Sequence, residues 1–279
     1  MKIGLSVIRT SQKIIICAVR ELSLFSGLGG GVLGSKILKW KTIGYVEINE
    51  DCQKIIAQRI KDEIYDNAPI YGDIETFINS GRCNLFTGIT DVVTGGFPCQ
   101  DISIANNSGK AGIQGIEGER SGLWKQFAKV ILSVRPKFVL VENSPMLTSR
   151  GLGTVLRDLA GMGYDAKWGM LRASDFGFKQ VRERIWILAY CISVGWDSMD
   201  KEQEIRCSII NSKNPQEPSF GPDYIPFYMD GLINNPMCGI LRNDNGLSDG
   251  IVRIKAIGNG QVPICMAYAF SILSQGIVE

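Results

Sequence analysis

An open α/β sheet with an irregular module inserted near its C-terminal end is the fold that this sequence predicts. From residue 21 to about 190, short apolar runs alternate with helical stretches, as in a sheet whose strands are joined by helices. Residues 191–252 instead hold half of the ten prolines together with many Asn, Ser and Asp, which is typical of loops. The chain of 279 residues, 45% of them hydrophobic, is long enough for one large core and a smaller module.

Strands are expected where an apolar run ends at a turn or at an acidic residue. The expected strands are residues 21–25, 42–48, 70–74, 91–94, 138–142 and 182–190. Helices are expected from a glycine-rich turn to about residue 38, at 51–59 with Asn49 as the N-cap, at 121–134, and in a small-residue stretch after Pro263.

The chain divides into four segments by composition. Residues 1–20 are an N-terminal extension, 21–190 the sheet domain, 191–252 the inserted module, and 253–279 a segment that returns to the sheet domain. An apolar run at 14–19 is too short to cross a bilayer and lacks a convincing cleavage site, so we expect neither a membrane span nor a signal peptide.

Histidine is absent from the whole chain, and its eight cysteines form no CxxC pair. The usual zinc spacings are therefore missing, and we expect no metal site. A chain with a full core does not need disulfides, which favours the reducing cytoplasm. Residues 191–252 carry four Lys or Arg against nine Asp or Glu, and the rest of the chain carries 26 Lys or Arg against 19 Asp or Glu. The net positive charge outside 191–252 is compatible with a polyanionic partner but does not require one.

A glycine-rich turn at residues 27–31 follows the first expected strand, where the N–H groups of the next helix would face a ligand. Alone, this pattern is equally typical of a tight packing turn. Glu47 closes the second strand, where a ribose hydroxyl pair would need an acceptor, and Asp73 closes the third, suited to accept from an exocyclic amine. A single acid there is usually a solvated cap, but acids after successive strands predict a nucleoside-type ligand at the carboxyl edge of the sheet.

Cys99 follows the 91–94 strand on a glycine–proline turn, a suitable position for a nucleophile. Because the chain has no histidine, the Cys99 thiolate must arise without a Cys-His pair. The loop at 100–122 is rich in Gly, Ser and Asn, which is typical of a mobile lid and also of an ordinary surface loop.

Three charged residues complete the candidate chemistry. Glu142 ends an apolar strand, so burial should raise the pKa of its carboxyl group and let it donate a proton or hold one on a ring nitrogen. Arg182 and Arg184 alternate along a strand and therefore share one face, which suits an anionic substrate or a salt-bridged surface edge.

Together these residues resemble the cytosine-C5 DNA methyltransferase family of the bacterial and phage type. The resemblance covers about 21–190 and 253–279, in the family's order of motifs. The matching motifs are Phe25-Ser26-Gly27-Leu28-Gly29-Gly30, Gly72-Asp73-Ile74, Gly96-Phe97-Pro98-Cys99-Gln100, Glu119-Arg120-Ser121-Gly122-Leu123-Trp124, Glu142-Asn143, Gln180-x-Arg182-x-Arg184, and Gly258-Asn259 through Pro263. The resemblance implies a Rossmann-like S-adenosylmethionine-dependent methyltransferase sheet, with 191–252 as a target recognition module.

The resemblance also implies a role for each matching residue. Cys99 would attack C6 of a cytosine flipped out of double-stranded DNA, Glu142 would bind its N3 and amino edge, and Arg182 and Arg184 would stabilise developing charge. The residues implied to bind S-adenosylmethionine are Phe25, Gly27, Leu28, Gly29, Gly30, Glu47, Ile48, Asp73, Ile74, Pro98 and Asn259. Those implied to contact DNA are Gln100, Ser103 and Gln180. We expect a monomer without a metal, and a companion restriction endonuclease is compatible with such an enzyme.

The sequence departs from the family pattern in three places. Ser23 stands where the family often has Asp, Ser144 stands where it has Val, and the 191–252 module is short and net acidic. Two alternatives stay open. One is a tRNA cytosine-C5 methyltransferase on the same scaffold, although its Cys-Phe-Thr signature is not found between Pro145 and Gln180. The other is a catalytically silent DNA-binding relative.

Overall fold

A computed structural model describes residues 18–98, 122–191, 260–275 and 277. The strands are β1 (Arg20–Leu24), β2 (Lys41–Val46), β3 (Ile70–Tyr71), β4 (Val92–Gly95), β5 (Phe138–Asn143), β6 (Tyr164–Arg172) and β7 (Glu183–Cys191). The α-helices are α1 (Gly30–Ile37), α2 (Glu50–Lys61), α3 (Ile74–Asn79), α4 (Gly122–Val134), α5 (Leu147–Arg150), α6 (Leu152–Gly161) and α7 (Pro263–Leu273). Short 3-10 helices occupy Arg82–Phe86 and Ala173–Phe176.

The seven strands form one sheet in the order β3-β2-β1-β4-β5-β7-β6. Strands β1 to β5 pair in parallel, whereas β7 runs antiparallel to both of its neighbours. The chain moves outward from β1 to β3 and then starts again on the other side of β1 with β4, so β1 and β4 flank the point where the strand order reverses. Ligands of open α/β sheets bind at such a point, beyond the carboxyl ends of the strands.

Helices cover both faces of the sheet. Alternate residues of each central strand point to opposite faces and pack against the helices there. In β5, Val139 and Val141 pack with α4 on one face, and Phe138 and Leu140 pack with α7 on the other. Helix α4 buries residues spaced three and four apart, which is why this sequence forms a helix against the sheet. These residues are Trp124, Phe127, Val130, Ile131 and Val134.

The predicted α/β fold is confirmed, but several elements differ from the prediction. Helices α3, α5 and α6 and the two 3-10 helices were not expected, and two strands also differ. The strand expected at 70–74 ends at Tyr71, because the Asp73 side chain accepts the Thr76 N–H and begins α3 instead. Strand β6 was not expected from the sequence. It lies at the sheet edge with only Tyr164 buried, so it lacks the apolar run that marks the inner strands. Most of the extension at 1–20 and almost all of the 191–252 module lie outside the described residues.

Glu21 is a buried acid within the sheet, on the side that faces α1. Its carboxyl group accepts hydrogen bonds from Thr42 Oγ1 at 2.8 Å and Thr94 Oγ1 at 2.5 Å. Burial raises the pKa of Glu21, and hydrogen bonds from Thr94, Ser35 and Thr42 oppose the rise only in part. Because the folded-state pKa lies above the unfolded one, Glu21 favours the folded state most at low pH, and this contribution is lost as the pH rises through the folded-state pKa.

We expect Glu21→Gln to stabilise the protein at neutral and alkaline pH, because the amide keeps hydrogen bonds to the threonine hydroxyls without a buried charge. The gain in unfolding free energy should be on the order of 1 kcal/mol for each unit by which the pKa of Glu21 is raised. Urea unfolding of both proteins at pH 5 and pH 8 measures it, with the exposed Glu63→Gln as a control. An equal difference between Glu21→Gln and the wild type at the two pH values would contradict this assignment.

Candidate active site

The candidate site lies at the carboxyl edge of the sheet. The turns after β1, β2, β4 and β5 all lie at this edge because these strands are parallel. The antiparallel pairing of β5 with β7, which sets Asn143 opposite Ile185, brings the beginning of β7 to the same edge. Topology thus gathers most of the predicted site residues in one place.

The turn between β1 and α1 adopts an unusual backbone, with positive φ angles at Phe25 (50°), Gly27 (54°) and Gly29 (84°). The buried Tyr65 stabilises this turn, because its hydroxyl donates to the Leu28 carbonyl at 2.8 Å. A methyl group on Gly29 would lie 2.3 Å from that hydroxyl, so glycine is required there both by its φ and by space. Tyr65 was not identified from the sequence.

Glu47 joins this turn to the one after β2. Its Oε2 accepts the Gly27 N–H at 2.6 Å and its Oε1 accepts the Asn49 N–H at 2.8 Å. Each carboxylate oxygen keeps a second lone pair for a ligand hydroxyl. The neighbouring Ile48 side chain is 68% exposed, which is unusual for isoleucine and leaves a flat apolar contact surface beside an acceptor.

Asp73 and Ile74 lie at the start of α3. Asp73 Oδ2 accepts from Thr76 N at 2.9 Å and from Thr76 Oγ1 at 3.0 Å, so this acid is an N-cap that leaves Oδ1 for another donor. The Ile74 side chain is buried in the core, and only its backbone is available to a ligand. The ligand contacts expected of both residues stay predictions.

The other predicted cofactor residues of the first turn are tightly packed. Leu28 is buried, and a methyl group on Gly30 would lie only 2.1 Å from the Gln261 carbonyl oxygen. A methyl group on Gly34, one turn along α1, would lie 2.8 Å from the Pro263 carbonyl oxygen. Gly30 therefore has a packing role against the C-terminal segment, whatever its part in binding a cofactor.

The turn after β4 leads through Gly96, Phe97 and Pro98 towards Cys99. The side chain of Asn143 at the end of β5 donates to the Phe97 carbonyl at 3.1 Å, and its own oxygen accepts the Ser144 N–H at 2.8 Å. Asn143 thus fixes the backbone two residues before the predicted nucleophile. Its position directly after Glu142 in the motif was the one sequence signal for this role.

Four predicted site residues lie outside the described residues, and their predicted roles are unchanged. They are Cys99, Gln100, Ser103 and Asn259. Pro98, the last described residue before this gap, is exposed, as is Gln180, which precedes β7.

Glu142 is 6% exposed and forms an ion pair with Arg184, whose Nε lies 2.9 Å from Glu142 Oε1. Burial raises the pKa of Glu142, and the positive charges of Arg184 and Arg182 oppose the rise. The Glu142 carboxyl group is therefore buried, its pKa is raised, and Arg184 orients one of its two oxygens. Its part in holding or donating a proton stays a prediction.

Arg182 lies just before β7 and is arranged differently from Arg184. Its Nη2 donates to the Gly260 carbonyl, so Arg182 links β7 to the C-terminal segment. Burial lowers the pKa of Arg182, and the nearby charge of Arg184 lowers it further, against the opposing effect of Glu142. Both arginines therefore lie near Glu142: Arg184 forms an ion pair with it, and Arg182 also bonds to the C-terminal segment.

Within the described residues, no group of three or more His, Cys, Asp or Glu side chains is arranged to hold a metal ion. None of the helices in that part of the chain is long and apolar enough to cross a membrane. The cysteines described there are free thiols: Cys52, Cys83, Cys191 and Cys265.

The strand order, together with the residues gathered at the carboxyl edge of the sheet, is that of a methyltransferase-type fold. The crystal structure of the Dnmt2 methyltransferase from S. pombe is similar to the chain with a TM-score of 0.59 at 14% identity, covering 94% of this chain and 99% of that one. The Spodoptera frugiperda DNMT2 structure gives 0.58 at 12% identity, covering 92% and 100%. At these identities the likeness shows the fold.

The chain belongs to the C-5 cytosine-specific DNA methylase family, whose model matches residues 19–219. It is 30% identical over 261 residues to the type II methyltransferase M.CviJI of Paramecium bursaria Chlorella virus IL3A, covering 93% of this chain and 60% of that protein. It is also 30% identical over 191 residues to M.Sau3AI of Staphylococcus aureus, covering 62% and 43%. The chain thus spans about half the length of these curated relatives. The family resemblance predicted from the motifs is confirmed.

We expect Tyr65→Phe to weaken binding of S-adenosylmethionine about 3- to 10-fold, since loss of the hydroxyl leaves the Leu28 carbonyl without its donor and loosens the turn, at a cost of about 1 kcal/mol. Isothermal titration with S-adenosylhomocysteine measures the change.

Tyr45→Phe is the matched control for Tyr65→Phe. Tyr45 is buried in the same cluster and donates to the Asp66 carbonyl at 2.9 Å, away from the turn. Both variants should lose similar thermal stability, and Tyr65→Phe alone should lose cofactor affinity. Equal affinities in the two variants would exclude a specific role of Tyr65 in holding the turn.

Proposed function

We propose that this protein is a DNA (cytosine-5-)-methyltransferase that uses S-adenosylmethionine. The observation that carries the proposal is the buried Glu142–Arg184 ion pair at the carboxyl edge, next to the turn that leads to Cys99. Glu142 ends β5, the neighbour of β4, and β1 and β4 flank the reversal of strand order. Membership of the C-5 cytosine-specific methylase family supports the same chemistry.

The residues at this edge fit S-adenosylmethionine. Glu47 offers carboxylate lone pairs for ribose hydroxyls, the exposed Ile48 offers an apolar surface for an adenine ring, and Asp73 keeps one oxygen for the adenine amine. Phe25, Leu28 and the glycine turn would line the remainder, together with Ile74, Pro98 and Asn259. When bound, the cofactor supplies an electrophilic methyl group.

Cys99 is the nucleophile in this proposal, and its thiolate forms a bond to C6 of the flipped cytosine. A protonated Glu142 donates to N3 of the ring, which neutralises the charge that the thiolate brings and leaves C5 electron-rich for methylation. Arg184 holds Glu142 in place, and the pair of arginines stabilises charge as it develops. Loss of the C5 proton to water, departure of the thiolate and return of the N3 proton to Glu142 then restore the neutral aromatic ring and the protonated acid.

Double-stranded DNA is the proposed substrate, with Gln100, Ser103 and Gln180 among its contacts and 191–252 as the target recognition module. We propose that the protein acts as a monomer in the cytoplasm of a bacterium or of a phage-infected cell. The free thiols among the described cysteines support a reducing compartment. Since several relatives are type II methyltransferases, we also propose a companion restriction endonuclease.

The experiment that tests the function is bisulfite sequencing of DNA from cells that express the chain, which reports activity, product and target sequence together. Transfer of tritiated methyl groups to duplex DNA and to tRNA in vitro distinguishes the DNA enzyme from a tRNA enzyme. Label in tRNA alone, or in neither substrate, would contradict the proposal.

We expect Glu142→Gln to lower kcat about 100-fold or more, because the amide cannot give a proton to the ring nitrogen. Glu21→Gln is the matched control: Glu21 is also a buried acid, at 0% exposure, but contacts threonine hydroxyls away from the edge. Tritium transfer under single-turnover conditions measures both. Similar rates for Glu142→Gln and wild type would show that this carboxyl group does not act on the ring.

We expect Cys99→Ala to abolish both methyl transfer and the covalent complex that a 5-fluorocytosine duplex forms with a cysteine nucleophile. Denaturing gel electrophoresis detects that complex. Cys265→Ala is the control, because Cys265 is buried in α7 and burial raises the pKa of its thiol to about 12, so it should not react. A covalent complex formed equally by Cys99→Ala would refute the proposed nucleophile.

A further inference from the structure

Gln261 lies between Gly260 and the first turn of α7, and its side chain contacts both the start of α1 and the turn after β4. A methyl group on Gly31 would lie 2.2 Å from Gln261 Oε1, and a methyl group on Gly96 would lie 3.1 Å from Gln261 Nε2. The side-chain amide therefore spans from the start of α1 to the turn after β4. Gln261 lies within the motif from Gly258 to Pro263, but the sequence assigned it no role.

The nitrogen of this amide and the carboxyl group of Glu142, the candidate catalytic acid, both lie beside Gly96. The methyl group on Gly96 that would meet Gln261 Nε2 would also lie 2.6 Å from Glu142 Oε2. Arg184 holds the other oxygen of Glu142. The two carboxyl oxygens of Glu142 thus have different neighbours: a guanidinium group at Oε1, and Gly96 with the Gln261 amide nitrogen at Oε2.

The backbone around Gln261 is held on two sides. Its own carbonyl oxygen packs directly on Gly30, and the preceding Gly260 carbonyl accepts from Arg182. Proline at the first position of α7 then fixes the direction in which the chain leaves. Gln261 therefore presents its amide from a rigid backbone, as a positioning group requires.

We propose that Gln261 is a positioning residue. Its amide fills the space between Gly31 and Gly96 and so fixes the position of the Glu142 carboxyl group relative to the turn between β1 and α1, where the cofactor is proposed to bind. This inference rests on the proposed function for its effect on catalysis, but the contact itself can be measured without activity. The amide nitrogen lies on the Oε2 side of Glu142, where a donor stabilises the carboxylate that remains after Glu142 gives its proton to the ring. The length of the side chain keeps the two turns apart.

Three ionisable side chains in the described residues interact with Glu142. Arg184 lies in β7, Arg182 lies just before it, and the Cys265 thiol lies in α7. The arginines stay charged and the Cys265 thiol, whose pKa burial raises to about 12, stays neutral below pH 9. A difference in the Glu142 titration between the wild type and a Gln261 variant is therefore not caused by a change of charge on these three groups.

The test compares Gln261→Met, which keeps the length but removes the amide, with Gln261→Ala, which leaves a gap. Gln275→Met is the control, since Gln275 is exposed at the end of α7. NMR titration of carboxyl-¹³C-labelled glutamate, with the Glu142 signal identified by its loss in Glu142→Gln, gives the pKa of Glu142 directly. We expect Gln261→Met to raise this pKa by about 0.5–1 unit and the control to leave it unchanged.

In the catalytic assay, Gln261→Met should lower kcat about 10-fold while the KM for S-adenosylmethionine stays within about twofold, and Gln261→Ala should also raise that KM. An unchanged pKa of Glu142 in Gln261→Met, or a full kcat in both variants, would overturn the inference. If the wild type methylates neither DNA nor tRNA, the proposed function fails, and the NMR titration still decides whether Gln261 acts on Glu142.

Discussion

The parallel pairing of β1 with β4 is the constraint on which the site depends, because it places the turns that follow both strands side by side. Leu24 at the end of β1 pairs with Gly95 at the end of β4, so the two turns begin at the same level. A methyl group on Gly95 would lie 2.7 Å from the Leu24 carbonyl oxygen. A larger side chain there would separate the strands and, with them, the proposed cofactor turn and the turn that leads to Cys99.

A second constraint is the contact of α1 with the C-terminal segment. Gly30, Gly31 and Gly34 form one face of α1, and the segment at 261–266 lies directly on it. Burial of Val32 under Tyr45 and Ile56 fixes α1 from the other side. The glycine-rich turn therefore has two functions that sequence patterns cannot separate: it leaves space for a ligand, and it lets two backbones approach each other.

The sequence predicted what depends on local patterns and missed what depends on distant contacts. The inner strands follow from their apolar runs, and the family follows from the order of its motifs. Asp73 was misplaced because an acid that ends a strand and an acid that caps a helix look the same in a sequence. Tyr65 and Leu28 are 37 residues apart, Asn143 and Phe97 are 46 apart, and Arg182 and Gly260 are 78 apart, so only folding shows that they bond.

The contact of Gly260 and Gln261 with Arg182 and α1 has a consequence for biosynthesis. A ribosome releases residues 18–191 well before residues 260–273, so the sheet can form while this part of the site is still missing. Until α7 is made, the small-residue face of α1 is without its contact to residues 261–266, and Arg182 is without its bond to the Gly260 carbonyl. The sheet of the nascent chain can therefore fold before Gly260 and Gln261 are available, and this part of the site is completed only after they leave the ribosome.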